Sequence, residues 1–472
     1  MKLNSLTAIS PIDGRYRQQV NQLEEYFSEY ALIKYRVHVE IQYLLFLHES
    51  KIFNLTTKAK KTLLKIDSEF DNSKAQIIKD LEATTNHDVK AVEYFIKDEL
   101  KKSGDSAIAE WVHFALTSQD INNTAIPLSW KHAIEFNYLP AVLNLSTQLL
   151  LLAKRWGNIP VLAHTHGQPA SPTRLGKEMM VFVERIQNQI DLLVTIPFTA
   201  KFGGATGNFN AHHVSFPKTN WIKFANNFVN KKLGLSRIQY STQIEHYDNL
   251  AAHFDGMKRI NTVLIDLCRD FWTYISMNYF NQKINEKEVG SSAMPHKVNP
   301  IDFENAEGNF GVAQSLFEHF ARKLTVSRLQ RDLSDSTTMR NIGVAFGHLI
   351  LGLKAVESGF DRLQLNEGAM AKSLDGHWEV LGEAVQSLLR LRGIDGAYAR
   401  MKSATRGLKM NRDEYIRLIG ELSAMPDVAE VLGADDLRRL TALTPAAYYG
   451  ASEHLAGLFF EAWQKRQSGG QS

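Results

Sequence analysis

Cysteine is almost missing from this chain: the 472 residues hold one, Cys268. One thiol forms no internal disulfide, which fits a reducing compartment. It also removes every cysteine-based zinc cluster. Cys268 lies between Leu267 and Arg269 in an apolar helical pattern, where a buried structural thiol is expected in preference to a nucleophile. The histidines offer no metal site either. His164 and His166 are two apart and His212 and His213 are adjacent, so neither pair faces one way on a helix, and no HExxH occurs. No metal is expected. Gly203, Gly204 and Gly207 are not followed by Lys-Ser/Thr, which rules out a P-loop, and no GxGxxG follows a strand. No organic cofactor is expected. An unbroken run of about 18 apolar residues is missing too, and Met1 to Ser5 lacks the apolar centre of a signal peptide. The expectation is a cytoplasmic protein without a membrane span. Net charge is only +3, and Lys/Arg clusters are as short as Lys58 to Lys61. That is too little for a nucleic-acid partner but suits a small anionic substrate.

What the chain does have is apolar periodicity. Apolar residues make up 44% and charged residues 22%, ordinary for a globular protein. The length allows a large core divided into roughly two or three units. Leu175, Met179, Phe182, Ile186, Ile190 and Leu193 fall on one helical stripe. So do Phe254, Met257, Ile260, Leu264, Leu267, Phe271 and Ile275, then Phe303, Phe310, Ala313, Phe317, Phe320 and Leu324. A fourth run covers about Ile342 to Val356. Helices of this length pack as a bundle. Val263, Ile265 and Trp272 lie off the main stripe, and a helix apolar on several sides must be covered on several sides. Oligomerisation through the bundle does that; a monomeric multilayer is the alternative. Strand signals are weak. Phe202 to Trp221 reads as a loop or short hairpin, Asn411 to Pro426 and Pro445 to Lys465 as shorter helices, and Arg466 to Ser472 as a disordered tail. The fold class is all-α, with an N-terminal helical domain at 1–107, a central long-helix domain at 108–365 and a C-terminal helical domain at 366–472.

Five polar stretches stand out. Gly290-Ser291-Ser292-Ala293-Met294-Pro295-His296-Lys297-Val298-Asn299-Pro300 is a loop by composition, with Met294 as a buried-type residue inside it. Its hydroxyls, ammonium and amide suit a carboxylate, and equally a plain helix connection. Thr165-His166-Gly167-Gln168 places a histidine in a loop opening a helix, either as acid or base near neutral pH or as a structural residue. Thr84-Thr85-Asn86-His87-Asp88 and Thr117-Ser118-Gln119-Asp120-Ile121-Asn122 read as helix caps. Arg331, Ser336 and Arg340 read as a phosphate clamp or as surface ion pairs.

Taken together, these stretches resemble the fumarase/aspartase superfamily, whose hallmark GSSxMPxKxNPxxxE matches Gly290 to Glu304. Ser10-Pro11-Ile12-Asp13-Gly14-Arg15-Tyr16, Thr84 to Asp88 and Pro300-Ile301-Asp302-Phe303-Glu304-Asn305 resemble its adenylosuccinate lyase branch. The similarity runs from about residue 3 to about residue 450. The resemblance implies three mostly helical domains, a twenty-helix core in a homotetramer, and active sites shared between subunits. It implies no cofactor, and the substrates adenylosuccinate and SAICAR. It makes Ser291 the general base, His166 the general acid and Glu304 the residue that orients His166, with His87 positioning the nucleotide. Thr117, Ser118, Gln243, Lys297 and Asn299 would hold succinyl carboxylates. Arg15, Tyr16, Arg331, Ser336 and Arg340 would hold the nucleotide, with Asn86, Asp88 and Asn305 also at the substrate. A serine base needs a desolvated, positive pocket. His164 stands where many relatives carry arginine.

Two alternatives remain at this point. One is another lyase of the superfamily, such as argininosuccinate lyase, although a substrate without phosphate has no need of Arg15, Arg331 and Arg340 together. The other is a structural protein that kept the fold without the chemistry, against which Ser291, His166, Lys297 and Glu304 are all present.

Overall fold

In a computed structural model, residues 4–284, 294, 296–458 and 460 are described. The main helices in chain order are α1 (Glu29–Glu49), α2 (Thr57–Ser68), α3 (Asn72–Thr85), α4 (Asp88–Lys102), α5 (Ser118–Ala133), α6 (Leu139–Arg155), α7 (Leu175–Leu193), α8 (Asp248–Ser276), α9 (Ile301–Leu324), α10 (Ser334–Met339), α11 (Ile342–Arg362), α12 (Gly382–Leu391) and α13 (Arg412–Ser423). Strands are two or three residues long: β1 (Pro160–Val161), β2 (His164–Thr165), β3 (Gln168–Pro169), β4 (Thr173–Arg174), β5 (Thr199–Ala200), β6 (Ser236–Arg237), β7 (Phe280–Gln282) and β8 (Leu363–Leu365). They pair as β1–β4, β2–β3, β5–β6 and β7–β8, with β5–β6 parallel and the others antiparallel.

Local chemistry sets the helix starts. Ser28 Oγ accepts from the Ala31 amide ahead of α1, and Thr56 Oγ1 from Ala59 ahead of α2. Asn411 and Glu414 form a reciprocal capping box at α13, so each satisfies a donor the helix leaves open. The stripes read from the sequence are the buried faces. Leu175 through Leu193 on α7, Phe254 through Phe271 on α8 and Phe303 through Leu324 on α9 are all in the core, and Cys268 is buried among them.

The chain divides into two compact units. The first comprises 1–143, 188–265 and 305–355; the second comprises 144–187, 266–304 and 356–472. The first unit holds an aromatic cluster in which Tyr43, Phe202 and Phe228 meet at centroid distances of 5.1–5.7 Å. A second cluster stacks Phe254 on Phe317 at 5.3 Å and sets Trp130 edge-on to Phe254. In the second unit Phe271 and Phe303 stack at 5.3 Å and 8°. A separate core of Trp378, Leu381, Val385, Leu389, Tyr415, Ile419 and Leu440 gathers around α12 and α13.

Two readings need correction. The 202–221 segment forms no hairpin. Its glycine loop is pinned to α5, and it continues into a short helix, Asn210–Ser215. Met294 is not buried; it is 46% exposed. Two helical stretches, Ser118–Arg155 and Ser334–Arg362, contain no unbroken run of about 18 apolar residues but are long and apolar enough on average to cross a membrane. In the second stretch 72% of the most apolar window is buried, as in a core helix of a globular protein. In the first, Phe136, Leu143 and Leu151 stay exposed on the single chain.

Within the second unit α7 starts at a close approach. A methyl group at Gly176 would sit 2.5 Å from the Ala153 carbonyl oxygen and 2.6 Å from Gly157 Cα. These are backbone atoms that no rotamer change relieves. Gly176→Ala is expected to cost about 1–3 kcal/mol of stability by overpacking. Gly420→Ala, on the exposed face of α13 with open space around it, should be neutral or slightly stabilising. Equilibrium denaturation of the two variants checks the contrast.

Candidate active site

In the first unit, three helix beginnings carry most of the polar residues singled out above. At the α3–α4 junction Asn86 adopts the left-handed conformation (φ 50°), and its amide closes α3 on Glu82. His87 is extended and caps α4: its Nδ1 accepts from the Lys90 amide at 3.2 Å. That bond leaves Nε2 to carry the proton of the neutral ring, and Nε2 lies 3.4 Å from Ser118 Oγ. The structure therefore brings His87 and Ser118 together. Asp88 pairs with buried Arg36 at 2.6 Å. Burial opposes the Asp88 charge, but the guanidinium outweighs it and holds the carboxyl below its usual pKa.

At the start of α5, Thr117 and Asp120 form a capping box, with the Thr117 amide donating to Asp120 Oδ2 at 2.9 Å. Asp120 is fully buried. It also accepts from Lys201 Nζ at 2.8 Å and from the Gly203 and Gly204 amides at 2.8 and 3.0 Å. Four residues before Pro127, Asn123 loses its helical partner because proline has no N–H. The helix kinks there (φ −82°, ψ 16°), and the freed Asn123 carbonyl accepts from the Lys201 amide. Asn123 Oδ1 accepts from Glu245 N, and its Nδ2 donates to Tyr247 Oη. This tie brings the 243–247 segment to α5.

The third group surrounds Arg331. Its Nη1 donates to Gln243 Oε1 at 3.4 Å. Gln119, with its amide oxygen turned to the guanidinium, accepts from Nη2 at 2.7 Å. Arg331 Nε is buried with no partner among the described residues, which leaves a donor for an incoming acceptor. Ser336 donates its amide to Asp335 Oδ1 at 2.7 Å. Arg340 meets Glu29 at 2.6 Å and Asp88 at 3.9 Å. Ser336 and Arg340 line a cavity of about 240 Å³ together with Arg36, Gln119 and Glu245, and Phe27, Trp130 and Phe198 form its apolar wall. Arg15 sits 5.8 Å from the Tyr16 ring and makes no ion pair among the described residues. Asn305 is exposed on α9 and accepts from Asn309.

The remaining residues belong to the second unit. His166 does not open a helix; it is the tip of the β2–β3 hairpin. His166 (φ 53°) and Gly167 (φ 71°) form its two-residue loop. Two positive φ values in such a loop make a primed turn matched to strand twist, which explains the glycine. Both residues are exposed. Glu304 is exposed in the first turn of α9 and accepts from Trp272 Nε1 at 3.0 Å. Among the described residues it makes no hydrogen bond to His166. Lys297 is exposed and Asn299 half-buried just ahead of α9. Ser291 lies outside the described residues, as do Gly290, Ser292, Ala293 and Pro295. Sequence reasoning missed Arg36, Lys201, Glu245, Tyr247 and Asp335. Pro127 inside a helix was the one available signal, since it predicts a free carbonyl near Asn123.

A family model described as Lyase matches residues 14–314, and one described as Adenylosuccinate lyase C-terminal matches residues 327–449. The adenylosuccinate lyase of Dictyostelium discoideum is 53% identical over 463 residues, covering 95% of this chain and 98% of that protein. The chain belongs to the adenylosuccinate lyase family. The adenylosuccinate lyase of Legionella pneumophila (strain Corby) is 45% identical, over 97% of this chain and all of that one. That of Escherichia coli (strain K12) is 42% identical, over 95% and 98%. In fold, the chain is similar to a fumarate lyase from Mesorhizobium sp. BNC1 (TM-score 0.73, 18% identity, 92% of this chain and 96% of that one). It is also similar to the 3-carboxy-cis,cis-muconate lactonizing enzyme of Pseudomonas putida (TM-score 0.70, 19% identity, 93% and 95%).

In a cavity lined by Arg36 and Arg340, an ionisable wall residue matters. Burial pushes the Glu245 carboxyl up to about 7, against the opposing bonds from the Tyr247 amide and Thr199 hydroxyl. The folded chain thus holds a proton that the unfolded chain releases near the ordinary value of 4.5. Stability from this group is full below the unfolded pKa and falls as pH rises toward about 7. Glu245→Gln should remove that fall, gaining roughly 1–3 kcal/mol over wild type between pH 4.5 and pH 8. Urea titrations of both proteins at the two pH values measure it; parallel pH dependences would place the ionisation elsewhere.

Proposed function

We propose that the chain splits adenylosuccinate into AMP and fumarate, and SAICAR into AICAR and fumarate, by β-elimination in purine nucleotide synthesis. The observation that carries this reading is the match to the adenylosuccinate lyase C-terminal model, backed by 42–53% identity to adenylosuccinate lyases over nearly the whole chain. It supports the purine substrates over argininosuccinate. In this reading Ser291 takes the Cβ proton of the succinyl group. The carbon–nitrogen bond then breaks, and His166 protonates the departing purine nitrogen, with Glu304 orienting that histidine. Removing the proton puts a second negative charge beside a carboxylate, and Lys297, Asn299, Thr117, Ser118 and Gln243 stabilise it where it develops. Arg15, Tyr16, Arg331, Ser336 and Arg340 hold the nucleotide, largely at its phosphate, with His87, Asn86, Asp88 and Asn305 beside it. The exposed tip position of His166 leaves its ring free to meet substrate.

The reading includes a cytoplasmic homotetramer with shared active sites and the domains 1–107, 108–365 and 366–472. Leu143 and Leu151 on α6, Val181 and Leu192 on α7, Trp272 on α8 and Val312 on α9 are exposed on the single chain. Apolar residues left bare on four long helices call for cover by neighbouring copies. The lone buried thiol of Cys268 fits a reducing compartment.

An absorbance assay with adenylosuccinate tests the activity. Ser291→Ala and His166→Gln should each lower kcat about a hundredfold to ten-thousandfold while still binding AMP. Near-normal turnover in either variant would remove that residue from its role.

Shared sites make a further expectation. If the two inactive variants are dissociated and reassembled together, some sites draw both residues from intact copies and turn over normally. Confirmed subunit exchange without regained activity would overturn site sharing and leave the lyase assignment standing.

A further inference from the structure

Tyr247 is a bulky residue in the left-handed region (φ 62°), 2% exposed. Such strain persists only where the surroundings over-determine it. Here three bonds do so. The Tyr247 amide donates to Glu245 Oε2 at 2.6 Å. Its hydroxyl accepts from Asn123 Nδ2 and donates to Asp335 Oδ2, each at 2.9 Å. Asp335 is 5% exposed. Its other oxygen accepts the Ser336 amide at 2.7 Å and faces Arg331 Nη2 at 3.8 Å. One buried carboxylate therefore orients two residues of the anion clamp, and one tyrosine hydroxyl fixes that carboxylate. Burial, then the Asp335 charge, hold the Tyr247 hydroxyl well above its ordinary pKa, so it stays a donor at any working pH.

We propose that Tyr247 is a positioning residue for substrate binding: through Asp335 it sets Arg331 and Ser336 to receive the nucleotide phosphate. The inference rests on the reading of Arg331 and Ser336 as phosphate holders. In this role Tyr247 acts through Asp335 and not on the reacting atoms. Its hydroxyl keeps the clamp arranged before ligand arrives, so its loss weakens ground state and transition state alike.

The test uses the full-length enzyme, AMP as probe and adenylosuccinate as substrate. Tyr247→Phe removes the hydroxyl alone. A lost hydrogen bond to a charged group is expected to raise the KM and the AMP Kd together, each about tenfold, with kcat within about twofold. Arg331→Ala is measured beside it, and so is the double variant. Because Tyr247 acts through Asp335 on both Arg331 and Ser336, the double variant should bind AMP more tightly than the product of the two single effects predicts. A role confined to folding would lower unfolding midpoints without this coupling. Should Tyr247→Phe not fold, Asp335→Asn takes its place and is expected to show the same paired rise and the same coupling. If Arg331→Ala leaves AMP affinity unchanged, the phosphate reading itself fails. If Arg331→Ala weakens AMP but the Tyr247→Phe effect is absent, or simply multiplies in the double variant, the positioning role is overturned.

Discussion

Lys201 has no access to solvent, and its ammonium is balanced by Asp120, which has none either. Most of what the first unit places at its polar end hangs on this pair. Asp120 binds the Thr117 amide, the ammonium and the Gly203 and Gly204 amides at once. The start of α5, the residue after β5 and the glycine loop are thereby held to one carboxylate. Those donors keep Asp120 ionised against the cost of burial. Such a pair adds little net stability, because desolvation offsets the attraction; losing one member leaves a buried bare charge costing about 3–5 kcal/mol. Its consequence is geometric. It pins the segment that presents Thr117 and Ser118, and with them the His87 ring across from Ser118.

The kink at Asn123 extends the same arrangement by one layer. Pro127 frees one carbonyl, Lys201 occupies it, and the Asn123 amide turns outward to Glu245 and Tyr247. From there the chain of bonds reaches Asp335, Ser336 and Arg331. Segments separated by about eighty to two hundred residues in sequence become one polar body with few free orientations. Each buried donor in it has a reason to hold its angle, since an unpaired one costs about 1–3 kcal/mol. Cations placed this way meet an anionic ligand without reorganising, and that preorganisation favours tight binding of a small charged substrate.

How much of this was legible beforehand follows from the range of each signal. The long stripes on α7, α8 and α9 repeat over many turns, so the core faces at Phe254, Phe310 and their neighbours could be read directly. Caps are local as well, and Asn411 and Thr117 behave as their side chains require. The β2–β3 hairpin was not legible, because two-residue strands carry no period and His166-Gly167 is a weaker turn signal than Asn-Gly. The buried pairs were the least visible. Nothing local in the sequence joins Asp120 to Lys201, or Tyr247 to Asp335. Their partnership is a property of the packed bundle, and only the proline inside α5 hinted at it.

The site therefore shows two kinds of information with different physical origins. The hallmark string from Gly290 to Glu304 is specific as a sequence, and in the proposed mechanism its residues act on the substrate directly, where chemistry tolerates few substitutes. The support behind Arg331, Ser336 and Thr117 is built from common residue types, an aspartate, a lysine, a tyrosine and an asparagine, whose value depends on burial and partner alone. A motif search finds the first kind and passes over the second. Burial with complete hydrogen bonding finds the second, and Tyr247 adds a mark of its own: a strained backbone held by three bonds. A bulky residue keeps a positive φ, at about 1–3 kcal/mol of strain, when what it positions matters more than the local cost. Here that bond network ends on the carboxylate behind Arg331 and Ser336.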